Sequence, residues 1–246
     1  MIQSNITSWE TKGDIGILSI SNGKENYLTE PDFLDLDLFK KWISDEKIKG
    51  LIIRGLGRNF SAGADIENLK KLAEDKTNLS GKMNKGKEIL NFIEDLTIPV
   101  VASINGVCFG GGLEIALACH MRIASERALF AFPETNHGLI PGLGGNYRLT
   151  QLLGKRAYEF ILTADMVCAA EAKKLGFVEY ISETKDTFHF AMQKMISMVS
   201  DRSLEIIQSA MKAINNSNNS NREEALKLET ELFCNLAVNV KFHQKE

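Results

Sequence analysis

The sequence has no apolar run that approaches the ~20 residues a transmembrane helix requires. Its first ten residues, MIQSNITSWE, also lack the basic start and the apolar centre of a secretory signal peptide. We therefore expect a cytoplasmic protein that does not span a membrane.

The chain has no excess of basic residues. Its 29 lysines and arginines are outnumbered by 32 acidic residues, which gives a net charge of -3. A polyanion such as DNA needs a basic surface, so nucleic acid is not an expected partner. Local basic residues remain sufficient for a small phosphorylated ligand.

Cysteines and histidines are few and show no ligand-like spacing. The four cysteines follow neither a disulfide nor a zinc pattern, and we expect buried free thiols in a reducing compartment: Cys108, Cys119, Cys168 and Cys234. The four histidines form no metal-ligand set, so no metal site is predicted: His120, His137, His189 and His243.

Strand patterns alternate with helix patterns in the first part of the chain and give way to helices in the last part. Apolar strand patterns cover residues 14–20, 49–55, 99–104, 121–124 and 128–132, and the main early helix patterns cover 32–45, 87–96 and 113–119. Residues 66–82 are polar and receive no element. Later helices are predicted at 149–153, 157–163, 169–175, 187–199, 204–214 and 222–240, with a polar connection at 215–221. The order predicts an α/β core over residues 1–185 and a helical region over 186–246.

Three familiar motifs are incomplete in this sequence. Residues 81–87 (GKMNKGK) nearly form a phosphate-binding loop, but Glu88 replaces the required Ser or Thr, so a solvated basic turn is predicted. The glycine runs do not complete a dinucleotide-binding pattern. Ser61 lacks the first glycine of a nucleophile elbow.

Glu114 stands in an apolar helix pattern, LEIALA, that we expect to be buried on nearly every side. A buried carboxylate is unfavourable unless it is paired or used. Two interpretations fit: a structural cap or buried ion pair, and a catalytic carboxylate.

Two segments of small residues could donate backbone N–H groups to a ligand. Residues 110–112 are three glycines at the start of the Glu114 helix, where N–H groups are free to stabilise a developing oxyanion. Residues 60–65 (FSAGAD) follow another apolar strand. Tight turns explain each segment alone; together they could form an oxyanion hole.

Glu134 follows Glu114 by twenty residues, and Pro133 ends the strand before it. Two neighbouring carboxyl groups beside an oxyanion hole can add water to an enone. One group activates the water, and the other, protonated, supplies a proton.

These residues resemble the crotonase (enoyl-CoA hydratase/isomerase) superfamily. The resemblance covers about residues 10–240 and is strongest in residues 98–119 (IPVVASINGVCFGGGLEIALAC), 130–165 and 169–181, with an earlier block at 49–66 (KGLIIRGLGRNFSAGADI). It implies an α/β fold with a spiral of ββα repeats and a C-terminal helical trimerisation region. A homotrimer or homohexamer is implied as well.

The resemblance also implies the site and its chemistry. Glu114 and Glu134 are expected to hold the attacking water, with Glu134 supplying the proton to Cα, and Ala62 and Gly111 are the expected oxyanion donors. The expected substrate contacts are Gly63, Ala64, Asp65, Ile66, Gly110 and Gly142. No cofactor is expected, because coenzyme A is part of the substrate.

The chain departs from the family pattern at several places. His120 stands where an Asp is usual, and Phe109 where a smaller residue or Leu is common. A terminal Lys-Arg pair that helps hold coenzyme A in relatives is not found. We expect weaker dependence on the adenosine end, with Lys24, Lys70 and Lys71, or alternatively Lys241 and Lys245, as candidate phosphate contacts.

The function expected first is hydration of a short-to-medium trans-2-enoyl-CoA. The alternative within the superfamily is a dehydratase, decarboxylase or isomerase that acts on an acyl-carrier-protein thioester. A catalytically silent assembly subunit is a third hypothesis, and the presence of Glu114, Glu134 and both glycine-containing loops argues against it.

Overall fold

The computed structural model describes residues 2–3, 6–44, 48–183 and 186–238. Within these residues the chain forms a mixed α/β fold with two sheets. The strands are β1 (Ile2–Gln3), β2 (Thr7–Lys12), β3 (Ile15–Ile20), β4 (Gly50–Gly55), β5 (Val100–Ile104), β6 (Val107–Phe109), β7 (Met121–Ser125), β8 (Leu129–Ala131), β9 (Val167–Cys168) and β10 (Tyr180–Ser182).

The helices surround these sheets. They are α1 (Leu36–Ile43), α2 (Ile66–Ala73), α3 (Lys76–Glu94), α4 (Gly111–Ala118), α5 (Gly145–Leu153), α6 (Arg156–Thr163), α7 (Ala169–Leu175), α8 (Thr187–Val199), α9 (Leu204–Asn219) and α10 (Arg222–Ala237). A 3₁₀ helix covers Pro133–His137. Among the described residues, no helix is both long and apolar enough to cross a bilayer.

The larger sheet has the strand order β1-β2-β3-β4-β5-β7-β10. The pairs from β3 to β10 are parallel, and β1 and β2 are added antiparallel. One row of the sheet aligns Ile17, Ile52, Val101 and Met121 on four neighbouring strands. Every residue of β3 and β5 is buried, as expected for apolar strands in a sheet covered on both faces.

The ββα repeat is visible in the middle of the chain. β5 lies in the larger sheet, β6 in the smaller sheet, and α4 follows. β7, β8 and α5 repeat this order, with the 3₁₀ helix between β8 and α5. β6 and β8 pair in parallel, and the Gly110 N–H donates to the Ala131 carbonyl at 3.0 Å. This pairing brings the start of α4 beside the segment that follows β8.

The C-terminal helices pack in two ways. α8 lies against β4, β5 and β7 of the larger sheet, with Met195 fully buried there. α9 and α10 pack on each other.

Several sequence-based boundaries are corrected by the structure. The predicted helix over 32–45 begins only at Leu36, because Asp35 caps it by accepting the Leu38 N–H at 2.9 Å. The basic turn predicted over 81–87 is wrong, since these residues lie inside α3. The connection predicted from 215 is also wrong, since α9 continues to Asn219.

The cysteine prediction is half confirmed. All four thiols are free, and Cys108 and Cys119 are buried in the core. Cys168 and Cys234 are exposed, so the expectation of burial is wrong for these two. The helix predicted to reach residue 240 ends at Ala237 in the structure, and residues 239–240 lie outside the described part of the chain.

Candidate active site

A cavity of about 480 Å³ lies between α2, α3, the start of α4 and the 3₁₀ helix. Two carboxyl groups, Glu114 and Glu134, line it together with Ala64 and Gly111. The remaining wall is mostly apolar and includes Leu69, Leu72, Leu79, Met83, Leu139, Ile140 and Leu143. An apolar chamber with few polar groups is typical of a site for a small organic ligand.

Glu114 is buried in the first turn of α4 and is held by a turn from another element. Its Oε1 atom accepts the N–H groups of Leu143 and Gly145, each at 2.7 Å. Burial raises the pKa of Glu114, whereas the hydrogen bonds from Gly145 and Leu143 and the positive charges of Arg148 and Lys87 oppose that rise. Glu114 therefore does not act as a cap of its own helix, since the N–H groups it accepts lie more than twenty residues downstream.

Glu134 is the second residue of the 3₁₀ helix, directly after Pro133. Its Oε2 atom is buried without a hydrogen-bond partner. Burial raises the pKa of Glu134 to about 7, its own backbone N–H lowers it, and the charge of Glu114 adds to the rise. Near neutral pH this carboxyl group is therefore protonated in a large fraction of molecules, as a general acid requires.

Gly110 makes room for that carboxyl group. A Cβ atom at Gly110 would lie 2.8 Å from Glu134 Oε1, closer than non-bonded atoms tolerate. Gly110 is not among the residues that line the cavity, so the structure gives it a role in accommodating Glu134 where a substrate contact was predicted.

Glu134→Gln is expected to make the protein more stable relative to wild type at alkaline pH. The folded-state pKa of about 7 exceeds the ordinary 4.5, so the folded protein binds this proton more tightly than the unfolded chain. That contribution is complete below pH 4.5 and is lost as pH rises through about 7. Gln cannot ionise, so the difference in unfolding free energy between variant and wild type should grow by up to about 3 kcal/mol from pH 4 to 8.5.

Urea unfolding at both pH values measures this difference. A difference that does not change with pH would show that Glu134 titrates normally.

The two segments of small residues meet at the start of α4. Ser61 pairs with Cys108, and the Phe109 N–H donates to the Ser61 carbonyl at 3.0 Å. A Cβ atom at Gly63 would lie 3.3 Å from the Gly111 nitrogen. The backbone of residues 61–64 therefore runs directly beside the N-terminus of α4.

The predicted oxyanion donor Ala62 does not fit this geometry. Its N–H donates to the Glu25 carbonyl at 2.9 Å, and Ala62 does not line the cavity. Ala64 does line the cavity. In its parallel pairing with Leu28, the Gly63 carbonyl accepts the Leu28 N–H at 2.8 Å and the Asp65 N–H donates to Leu28 O at 3.0 Å.

Because neighbouring residues of an extended strand direct their N–H groups to opposite edges, the Ala64 N–H points away from Leu28. Gly111 is the first residue of α4, so its N–H has no partner within the helix. Of these three residues, Gly111 and Ala64 line the cavity and Ala62 does not.

Some of the other predicted substrate contacts line the cavity and some do not. Asp65, Ile66 and Gly142 line the cavity with Ala64, whereas Gly63 does not. Asp65 also caps α2 by accepting the N–H groups of Glu67 and Asn68.

Of the candidate phosphate contacts, Lys70 lines the cavity and Lys24 and Lys71 do not. Lys241 and Lys245 fall outside the described residues.

Among the described residues, no group of three or more His, Cys, Asp and Glu side chains is arranged to hold a metal ion.

Neither the turn that holds Glu114 nor the α3 wall of the cavity was predicted from the sequence. Leu143 and Gly145 act through backbone N–H groups, which leave no side-chain signal beyond the glycine-rich run at 142–145. Leu79 and Met83 lie in a polar segment whose sparse apolar residues include two that line the cavity.

Comparisons with known proteins find similar sequences and similar structures. A sequence model of the family described as "Enoyl-CoA hydratase/isomerase" matches residues 25–244. A Bacillus subtilis (strain 168) protein provisionally named enoyl-CoA hydratase/isomerase YngF is 37% identical over 82% of this chain and 73% of its own length. The short-chain-enoyl-CoA hydratase of Clostridium acetobutylicum is 32% identical over 91% of this chain and 86% of its own.

Solved structures show the same similarity. The enoyl-CoA hydratase of Bacillus anthracis superposes with a TM-score of 0.86 at 26% identity and covers 96% of this chain and 92% of its own.

Proposed function

Because the chain belongs to the enoyl-CoA hydratase/isomerase family, we propose that it is a hydratase that adds water across the trans-2 double bond of a short-to-medium enoyl-CoA. The observation that carries this proposal is the pair Glu114 and Glu134 on one cavity, with the pKa of Glu134 raised to about 7. Hydration is redox-neutral, so the proposed reaction needs no electron carrier. The free thiols Cys108 and Cys119 suit a reducing cytoplasm, which is the location we propose.

The thioester carbonyl is proposed to lie between the N–H groups of Ala64 and Gly111. Addition of water to Cβ moves electrons onto this oxygen and creates an enolate. Two preorganised N–H donors, one of them at a helix N-terminus, stabilise that negative charge as it develops.

The two carboxyl groups then divide the proton transfers. Glu114, fixed through Oε1 by two N–H groups, takes a proton from water as the water oxygen bonds to Cβ. Protonated Glu134 gives its proton to Cα, and the double bond is consumed. A proton must afterwards pass from Glu114 to Glu134 to restore the starting state.

The apolar wall of the cavity is proposed to receive the acyl chain, and Met83 is proposed to limit its length. The Met83 Cε atom lies 2.4 Å from the position that a Cβ atom at Gly142 would occupy, so it packs directly on the turn. Met83→Ala should therefore favour longer acyl chains over the four-carbon substrate.

Each additional buried CH₂ contributes about 0.8 kcal/mol, or roughly fourfold in kcat/KM. Measurement of kcat/KM for C4, C6 and C8 enoyl-CoA tests this expectation. Met192→Ala, a partly buried methionine of α8 outside the cavity, is the matched control and should leave the ranking unchanged. An unchanged ranking in Met83→Ala would exclude Met83 as the limit.

We also propose that the chain forms a homotrimer or homohexamer. Large apolar side chains are exposed on and after α6, with Tyr158, Leu162 and Met166 each more than 60% accessible. Such a patch is typical of an interface between protein chains. Light scattering should give three or six times the chain mass of 27.4 kDa, and a monomer would contradict the proposal.

Hydration of crotonyl-CoA, followed by loss of the enoyl absorbance, tests the proposed activity. A parallel assay with a trans-3-enoyl-CoA separates hydratase from isomerase activity. Crotonyl-pantetheine separates dependence on coenzyme A from use of a carrier-protein thioester, since it lacks the adenosine end. Faster isomerisation than hydration, or no hydration, would overturn the proposal.

A further inference from the structure

We propose that Arg148 is a positioning residue that fixes Glu114 by clamping the turn at residues 143–145. This inference rests on the proposed function of Glu114 as the base. Arg148 does not line the candidate substrate cavity, so it acts on the reaction through the turn.

Arg148 lies in α5 and its side chain is only 4% exposed. Its Nη1 atom donates to the Leu143 carbonyl at 3.0 Å. Its Nε and Nη2 atoms donate to Glu94 Oε2 at 2.9 and 2.7 Å, and Nη2 also donates to Asn91 Oδ1 at 2.8 Å. All three nitrogens of the guanidinium are therefore engaged.

The peptide groups of the turn connect this clamp to Glu114. The Leu143 carbonyl accepts from Arg148, while the Leu143 N–H donates to Glu114 Oε1 at 2.7 Å. Gly144, with φ of 104°, leaves the space that the guanidinium occupies, because a Cβ atom there would lie 2.4 Å from Nη1. Movement of Arg148 would therefore displace the two N–H groups that orient the base.

The opposite side of the clamp is anchored at the end of α3. The Glu94 carbonyl lies 3.0 Å from Nε2 of His120, and the Nδ1 atom of the same ring accepts the Val100 N–H at 2.9 Å. This pattern places the imidazole proton on Nε2, so His120 donates to Glu94. The Glu94–Arg148 pair thus joins α3 and α5, and His120 connects Glu94 to Val100, the first residue of β5. These residues lie on the wall of a separate cavity of about 630 Å³.

Arg148 also acts on Glu114 by its charge. The charged groups that influence Glu114 are Arg148 from α5 and Lys87 from α3, while Glu134 of the 3₁₀ helix faces the same cavity. Arg148 lowers the pKa of Glu114 against the effect of burial. Loss of its charge should raise that pKa, so the acidic limb of the kcat/KM profile should move to higher pH.

The test compares Arg148→Met and Arg148→Lys in crotonyl-CoA hydration. Arg148→Met should lower kcat on the order of 10²-fold with little change in KM, since a small displacement of a reacting group has effects of this size. Its acidic limb should move to higher pH. Arg148→Lys keeps the charge but cannot reach all three acceptors. The acidic limb of its kcat/KM profile should therefore remain at the wild-type pH, while kcat falls by a smaller factor than in Arg148→Met.

Arg54→Met is the matched control. Arg54 also donates to a carboxylate, Glu10, at 3.0 Å, and it has no contact with the 143–145 turn. This variant should lose stability without a shift of the pH profile. Equal profiles for Arg148→Met and Arg54→Met would overturn the inference.

A double-mutant cycle with Glu114→Gln tests whether Arg148 acts through Glu114. If it does, Arg148→Met should have little further effect on kcat in the Glu114→Gln background. An undiminished further loss of 10²-fold would overturn the inference. If Arg148→Met does not fold, Arg148→Lys decides, and wild-type kcat in that variant would also overturn it.

A direct titration separates this inference from the proposed function. The ¹³C carboxyl signal of Glu114, assigned by its absence in Glu114→Gln, reports the pKa without any substrate. If the wild type does not hydrate crotonyl-CoA, the proposed function fails, yet a higher pKa of Glu114 in Arg148→Met still supports the clamp. An unchanged pKa refutes it.

Discussion

Glu114→Gln is expected to lower kcat for crotonyl-CoA hydration by about 10²–10⁴-fold, the range for loss of a positioned acid or base. Gln still offers one oxygen to the N–H groups of Leu143 and Gly145, so the turn and the fold should persist. It cannot accept the proton of the attacking water. Steady-state kinetics on the folded variant, with circular dichroism to verify folding, measure the effect.

Glu134→Gln should lower kcat within the same range, because an amide cannot supply the proton to Cα. Glu126→Gln, an exposed glutamate next to β7, is the control and should retain wild-type kcat. Near-wild-type hydration by a folded Glu114 or Glu134 variant would remove that residue from the mechanism.

Gly111→Pro is expected to lower kcat by about 10²–10³-fold, since it deletes one of the two proposed oxyanion donors. Gly111 is the first residue of α4, a position at which Pro is well accommodated because the helix does not use that N–H. The barrier should rise by at least about 3 kcal/mol.

Gly111→Ala separates the N–H from the added bulk. A Cβ atom at this position lies 3.0 Å from Leu28 Cδ1, the end of a flexible side chain, in Ala as in Pro. Ala keeps the N–H and should therefore retain most of the activity. Equal losses in the two variants would attribute the effect to packing against Leu28 and would contradict the oxyanion assignment.

The buried strands could be predicted from the sequence because their burial produces continuous apolar runs. Residues 49–55 and 99–104 are apolar almost throughout and form β4 and β5 nearly as predicted. The polar strand β2, which lies between the edge strand β1 and β3, and the helices over residues 66–82 lack such a run. There α2 and the first half of α3 border a cavity, so few of their residues needed to be apolar.

The candidate site was predictable to the level of side chains and not to the level of backbone donors. Glu114 could be identified because a carboxylate in an apolar helix is unfavourable unless it is paired or used. Pro133 marks the start of the turn that carries Glu134. The choice between Ala62 and Ala64 depends on which strand edge faces Leu28 and Glu25, and that pairing joins residues more than thirty positions apart. Local sequence contains no information of this kind.

The arrangement around the thioester can be tested most directly by a crystal structure with butyryl-CoA, which has no double bond to hydrate. We expect the thioester oxygen to lie about 2.7–3.1 Å from the nitrogens of both Ala64 and Gly111, with Cα facing Glu134 and Cβ facing Glu114. A thioester oxygen beyond hydrogen-bonding distance of these two nitrogens, or one bound by Ala62, would contradict it.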